Sequence, residues 1–165
     1  MQPITVAIAD EDAGRRARFE LALQREQSVR VLTNVSTSER GVTRNRRREA
    51  RTNMTVIDDM VARTRRLGPR ILLANLKQCA EADGAMLESL RRECPDTLVV
   101  LLADKSDQQE EQIMQALAKG ARGYLDFGVD PIVISKAAQV IDRGEIWVPR
   151  KMLGKIMDQV MQWRH

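Results

Sequence analysis

Aromatic residues are scarce in this sequence: two Trp, one Tyr and two Phe among 165 residues. Stacking platforms for single-stranded nucleic acid need several such rings, so that class is unsupported. Histidine occurs once, as His165, which argues against a His-based triad or a histidine zinc site. The two cysteines, Cys79 and Cys94, show no metal-ligand spacing and read as reduced thiols. No apolar run approaches the ~18 residues of a membrane span. The start, Met1-Gln2-Pro3-Ile4, has neither a basic leader nor a cleavable apolar segment. A cytoplasmic chain with no membrane partner is expected.

What is present is a globular composition, 43% apolar and 30% charged. The stretch Arg70 to Lys77 organises the rest. Ile71 to Ala74 is a continuous apolar run behind the breaker pair Gly68-Pro69, which predicts a strand buried on both faces. Similar runs predict strands at Ile4–Ala9, Val29–Leu32, Leu98–Ala103 and Ala121–Leu125. Between them the patterns predict helices over 13–26, 53–67, 86–93, about 110–119 and 131–142. Asp12 is placed to cap the first, Cys94-Pro95 to stop the third, and Pro131 to open the fifth. On helix 131–142, Ile132, Val133, Ala137, Val140 and Ile141 are expected to face inward. Glu145 to Pro149 is expected to be extended, and Arg150 to Trp163 a last helix. Strands alternating with helices predict a doubly wound α/β fold, a five-stranded parallel sheet with an extra C-terminal helix. In such a sheet the site lies beyond the carboxyl ends of the strands, here around Asn75.

Residues 36–52 break the pattern. Six arginines, Arg40, Arg44, Arg46, Arg47, Arg48 and Arg51, stand against Glu39 and Glu49, a net charge of 6 − 2 = +4. That equals the charge of the whole chain, so the remainder is balanced. The segment reads as a solvated basic insertion. Its functional reading is a salt-sensitive contact with nucleic-acid phosphates or an acidic protein partner.

Several phrases resemble the receiver domain of NarL/FixJ-type response regulators, whose fold is flavodoxin-like (CheY-like). They are Val6-Ala7-Ile8-Ala9-Asp10-Glu11-Asp12, Asp83-Gly84, Cys94-Pro95-Asp96-Thr97, and Lys119-Gly120-Ala121-Arg122-Gly123-Tyr124-Leu125. Gly144 to Pro149 resembles the link leading out of such a receiver. The resemblance implies a receiver-like unit over 1–144 and a linker strand with an amphipathic helix over 145–165. It also implies a phosphoacceptor aspartate after the third strand, carboxylates for Mg²⁺ after the first, a Ser or Thr after the fourth and a Lys after the fifth. Asp10, Glu11 and Asp12 keep the acidic part. Asn75 stands at the acceptor position, Leu102 or Ala103 at the hydroxyl position, and Phe127 at the lysine position. An amide cannot form the acyl phosphate, Leu or Ala has no hydroxyl, and Phe has no charge. A degenerate, non-enzymatic pseudo-receiver without cofactor is expected, in signal transduction and transcriptional regulation.

The acidic cluster has two readings, a weak metal site of Asp10 and Glu11 with the Asn75 carbonyl, or a cap on the first helix. The vacated pocket near Asn75, Leu102 and Phe127 is an alternative small-ligand site. Association is expected on the face of Gln112, Gln115, Lys119, Tyr124 and Lys136. It is also expected on the last helix, where Leu153, Ile156, Val160 and Trp163 lie beside Met152, Met157 and Met161. The apolar arc there exceeds the ~100° that packing on one domain needs. A homodimer or protein partner follows. If the chain belongs to a longer regulator, a LuxR-type DNA-binding domain follows His165.

Overall fold

The apolar runs build a five-stranded parallel sheet: β1 (Ile4–Ala9), β2 (Val29–Val31), β3 (Ile71–Asn75), β4 (Leu98–Ala103) and β5 (Gly123–Asp126). The strand order is β2-β1-β3-β4-β5. The computed structural model describes residues 2–33, 53–104 and 110–163. The arginine segment, from Arg40 to Arg51, lies outside the described residues. The helices are α1 (Ala13–Leu23), α2 (Asn53–Leu67), α3 (Leu76–Ala80), α4 (Ala85–Glu93), α5 (Glu110–Ala118), α6 (Pro131–Asp142) and α7 (Arg150–Trp163).

Alternation along the strands divides the core in two. Val6, Ile8, Ile71, Leu73, Val100 and Leu102 face Phe19 and Leu23 of α1 and Ile134, Ala138 and Ile141 of α6. Ala7, Ala9, Leu72, Ala74, Leu101 and Ala103 face the other layer, with Ile57, Met86, Leu90, Ile113 and Met114. Both faces are covered, which is why these strands read as continuous apolar runs. Each fully buried Leu or Ile contributes roughly 1.5–3 kcal/mol. Register then aligns the strand ends. Ala9 pairs with Ala74, and Asn75 with Leu102, so the residues that follow β1 and end β3 and β4 share one rim.

Polar side chains set the helix ends. Asp12 accepts the Arg15 N–H at 3.0 Å and Asp130 accepts the Ile132 N–H at 3.0 Å, each satisfying an orphan first-turn donor. Asn75 does the same for α3, accepting the Lys77 N–H at 2.9 Å. No sequence signal predicts helix α3, because five residues are too few to show a period. A 3₁₀ turn, Glu81–Gly84, links α3 to α4, with φ of 51° at Ala82, 56° at Asp83 and 79° at Gly84. The Lys119 ammonium holds it by donating to the Asp83 carbonyl.

One inward expectation is corrected. Ile132 is 51% exposed, and Leu21 of α1 is similarly exposed at 61%. Each lies two residues before a buried one, Ile134 and Leu23, hence about 200° away around its helix. The buried face of α6 is Ile134, Ala137, Ala138 and Ile141, spaced i, i+3, i+4, i+7.

The segment after α6 covers the outer edge of β5. The Trp147 N–H donates to the Arg122 carbonyl at 3.0 Å, and the Tyr124 N–H donates to the Trp147 carbonyl at 2.9 Å. A Cβ on Gly123 would lie 2.8 Å from the Trp147 oxygen, so this bridge requires glycine.

Candidate functional site

The sheet order reverses between β1 and β3, and the ligand crevice of such a sheet opens beyond their carboxyl ends. Asp10 stands there, 1% exposed, with Asn75 at 7%. The Asp10 carboxylate is fully engaged. Its Oδ1 accepts the Asp12 N–H at 2.9 Å, Arg15 Nη2 at 3.1 Å and Asn75 Nδ2 at 3.4 Å. Its Oδ2 accepts Arg15 Nε at 2.5 Å. The Arg15 guanidinium carbon also lies 4.2 Å from the centroid of the Phe127 ring. That ring in turn meets Phe19 at 6.4 Å. The hydrogen bond to Asp10 raises the Arg15 pKa further above its ordinary value, so the cation is permanent. The Arg15 N–H, donating to Asp12, holds the Asp12 carboxyl below the usual carboxylate range.

These residues do not fit a divalent ion. Mg²⁺ needs several oxygen ligands in near-octahedral array. Asp10 spends both oxygens on Arg15 and its neighbours. Asn75 gives Asp10 its amide nitrogen, while its carbonyl oxygen accepts the Lys77 N–H. The Glu11 side chain is exposed and its backbone N–H donates to Gln78 Oε1 at 3.2 Å. Among the described residues no group of three His, Cys, Asp or Glu is arranged to hold a metal. Asp12 caps α1, and Asp10, Glu11 and Asn75 as arranged present no open set of oxygen ligands.

The residues of the alternative small-ligand site lie in different surroundings. Leu102, paired with Asn75, is fully buried in the core, and Ala103 is turned into the opposite layer. The space beside Phe127 is taken by the Arg15 side chain. Sequence reasoning missed Arg15. The available signal was an arginine in the first turn of a helix capped three residues earlier, directly after an acidic strand end.

A second region lies around β5. Gln112, Gln115 and Lys136 are exposed, and Tyr124 is half-buried with its hydroxyl donating to the Asp104 carbonyl at 3.2 Å. Burial pushes the Tyr124 pKa up. Lys119 is drawn into the fold by its bond to Asp83. A cavity of about 530 Å³ opens here, with Ile113, Tyr124, Leu125, Val133, Trp147 and Met152 in its wall. Helix α7 flanks it. Met152 is buried in the core, Ile156 packs partly against it, and Lys155 pairs with Glu110 of α5. The rest of the apolar arc stays uncovered: Leu153 is 39% exposed, and Met157 and Met161 are each 59% exposed. The side chains of Val160 and Trp163 lie outside those described.

Neither cysteine offers a reactive thiol at neutral pH. Both are buried and unpaired, and desolvation pushes Cys79 up to about 12. No helix among the described residues is long and apolar enough to cross a membrane.

No protein-family model matches the chain, and no curated protein matches it in sequence. Solved structures match through the backbone. The isolated REC domain of RcsB from Salmonella enterica serovar Typhimurium superposes with a TM-score of 0.63 at 15% identity, covering 94% of this chain and 98% of that one. A LuxR-family two-component response regulator from Aurantimonas sp. SI85-9A1 gives 0.65 at 13% identity, covering 97% and 99%. A LuxR-family DNA-binding response regulator from Silicibacter pomeroyi gives 0.54 at 24% identity, covering 90% and 98%. At such identities the likeness is one of fold: this chain has the CheY-like architecture of response-regulator receiver domains.

Proposed function

We propose that this chain is a receiver-type module that works without phosphorylation and passes its signal through protein contacts, as a homodimer, in transcriptional regulation. One observation carries the reading. Asn75 ends the third strand where the receiver fold would place its phosphoacceptor, and its amide nitrogen is hydrogen-bonded to the buried Asp10 carboxylate. An amide there cannot form an acyl phosphate, and Leu102, opposite it, offers no hydroxyl. The exposed Leu153, Met157 and Met161 support association, because large exposed apolar side chains mark contact surfaces. One patch can pair with itself across a two-fold axis. The structural neighbours named as LuxR-family regulators support the transcriptional setting.

Acetyl phosphate with Mg²⁺ tests the first half by intact mass. No phosphoryl gain is expected. A gain that disappears in Asn75→Ala would overturn the reading. Asn75→Asp alone is expected to restore little, because Leu102 and Phe127 still lack the groups that would sense a phosphoryl oxygen.

A second reading rests on charge concentration: the whole net charge of +4 resides in residues 36–52. Contact with an acidic partner or nucleic acid through Arg40–Arg51 would then be salt-dependent, and deleting Glu39–Arg51 would abolish it.

A further inference from the structure

The acidic corner is closed by a side chain that the loss of the phosphoacceptor does not explain. Asp12 caps α1 and takes the Arg15 backbone N–H, which fixes the first turn. From that turn the Arg15 side chain reaches back over the end of β1. Its Nε and Nη2 meet the two Asp10 oxygens at 2.5 and 3.1 Å, a two-point contact that matches the carboxylate fork. Its guanidinium carbon lies 4.2 Å from the Phe127 ring centroid. A lysine could not make the two-point fork. Phe127 and Arg15 therefore form one unit. The positive charge absent at position 127 is delivered instead from α1, and the ring at 127 seats it.

The buried Asp10 carboxylate needs a counter-charge. We propose that Arg15 is the resident cation of this corner, standing where the receiver fold would imply a divalent ion, and that the chain thereby excludes Mg²⁺ rather than binding it weakly. A metal would have to displace a cation tethered five residues away, which is always present at high effective concentration. It would then find one buried carboxylate, since the Glu11 side chain is exposed and the Asn75 carbonyl is committed to Lys77. The phosphorylation reading does not require this proposal: an amide acceptor alone would leave metal binding intact.

Mn²⁺, followed by paramagnetic resonance in the absence of any phosphodonor, is the direct probe. Millimolar Mn²⁺ is expected to remain free beside the wild-type protein. Arg15→Gln, which frees Asp10, is expected to bind Mn²⁺ more tightly by on the order of tenfold or more. The added change Asp10→Asn should remove that gain. Wild-type binding as tight as that of Arg15→Gln, and lost with Asp10→Asn, overturns the proposal. So does a folded Arg15→Gln that gains nothing. Should the variant fail to fold, the wild-type chain decides by NMR. The Arg15 Nε–H resonance is expected to exchange slowly and to stay in place as Mg²⁺ is added. A resonance that Mg²⁺ shifts, or that exchanges freely with water, refutes the idea. These readouts follow metal alone, so phosphorylation by acetyl phosphate can succeed or fail without affecting them.

Discussion

The rim beyond β1 and β3 and the outer edge of β5 are both places where a receiver fold could act, and they have been finished in opposite ways. At the rim the buried polar groups among the described residues have partners within the chain: Asp10 with Arg15, Asn75 with Asp10 and Lys77, and the Glu11 backbone N–H with Gln78. At the edge the chain runs out of cover. Trp147 seals the strand backbone and Met152 plugs into the core, yet Leu153, Met157 and Met161 remain exposed beside an open cavity. A satisfied polar site has little to offer a ligand, whereas uncovered apolar surface gains free energy from any partner that excludes water. The proposed association therefore falls to the edge and not to the rim.

Four measurements would break or sharpen this contrast. The largest effect is expected at the rim. Asp10→Ala leaves the Arg15 guanidinium without its counter-charge and the Asp12 N–H without its acceptor. It should cost about 3 kcal/mol in denaturant unfolding, in the range for breaking a mostly buried ion pair. A loss below about 0.5 kcal/mol, the size of a neutral surface change, would mean the pair is solvated and the rim is not closed.

At the edge the backbone bridge is the vulnerable point. Gly123→Val drives a side chain into the Trp147 carbonyl, 2.8 Å from its Cβ position. The expected cost is about 2 kcal/mol, typical of overpacking. The loss should also release the segment that carries α7, so amide exchange at Trp147 should rise together with the loss of stability.

Acid separates the two regions more gently. The folded Asp12 pKa lies below its unfolded value of 3.8. Its contribution is therefore present above pH 3.8 and is lost as pH falls through the lower folded value. Asp12→Asn, which caps equally well, should flatten that acid limb of the melting profile and leave neutral stability unchanged. An unchanged acid limb would assign it to other carboxylates.

The smallest stability effect is predicted for the paired change Leu153→Glu and Met157→Glu. Both positions are exposed, so unfolding should shift by no more than about 0.5 kcal/mol. Light scattering at micromolar concentration should nonetheless show a wild-type dimer become a monomer. A wild-type monomer across that range would refute dimerisation. A dimer that survives the change would move the contact to the face around Tyr124.

Much of the fold was legible because its signals are local. A strand buried on both faces must be apolar throughout, so Ile71–Ala74 and Leu98–Ala103 announced themselves. Asp12 marked a helix start because orphan N–H groups demand an acceptor there, and Pro131 marked another because proline has no N–H to leave unpaired. Short or peripheral features were not legible. Helix α3 has no room for a period, and the exposure of Ile132 and Leu21 depends on helix phase, which composition does not fix.

The sequence by itself determined the strands, the caps, and that Asn75, Leu102, Ala103 and Phe127 bring no carboxylate or charge, and Leu102 and Ala103 no hydroxyl, to the strand ends. These depend on residue type at a position along the chain. Only the tertiary structure decided what stands beside those residues. Arg15 and Phe127 are far apart in sequence, and their contact exists because strand register brings the ends of β1 and β5 to the same side of one sheet. Likewise an amphipathic pattern says that α7 has an apolar arc, but not how much of it the core consumes. The answer was set by the bridge at Trp147, which places Met152 inside and leaves Met157 and Met161 to the solvent.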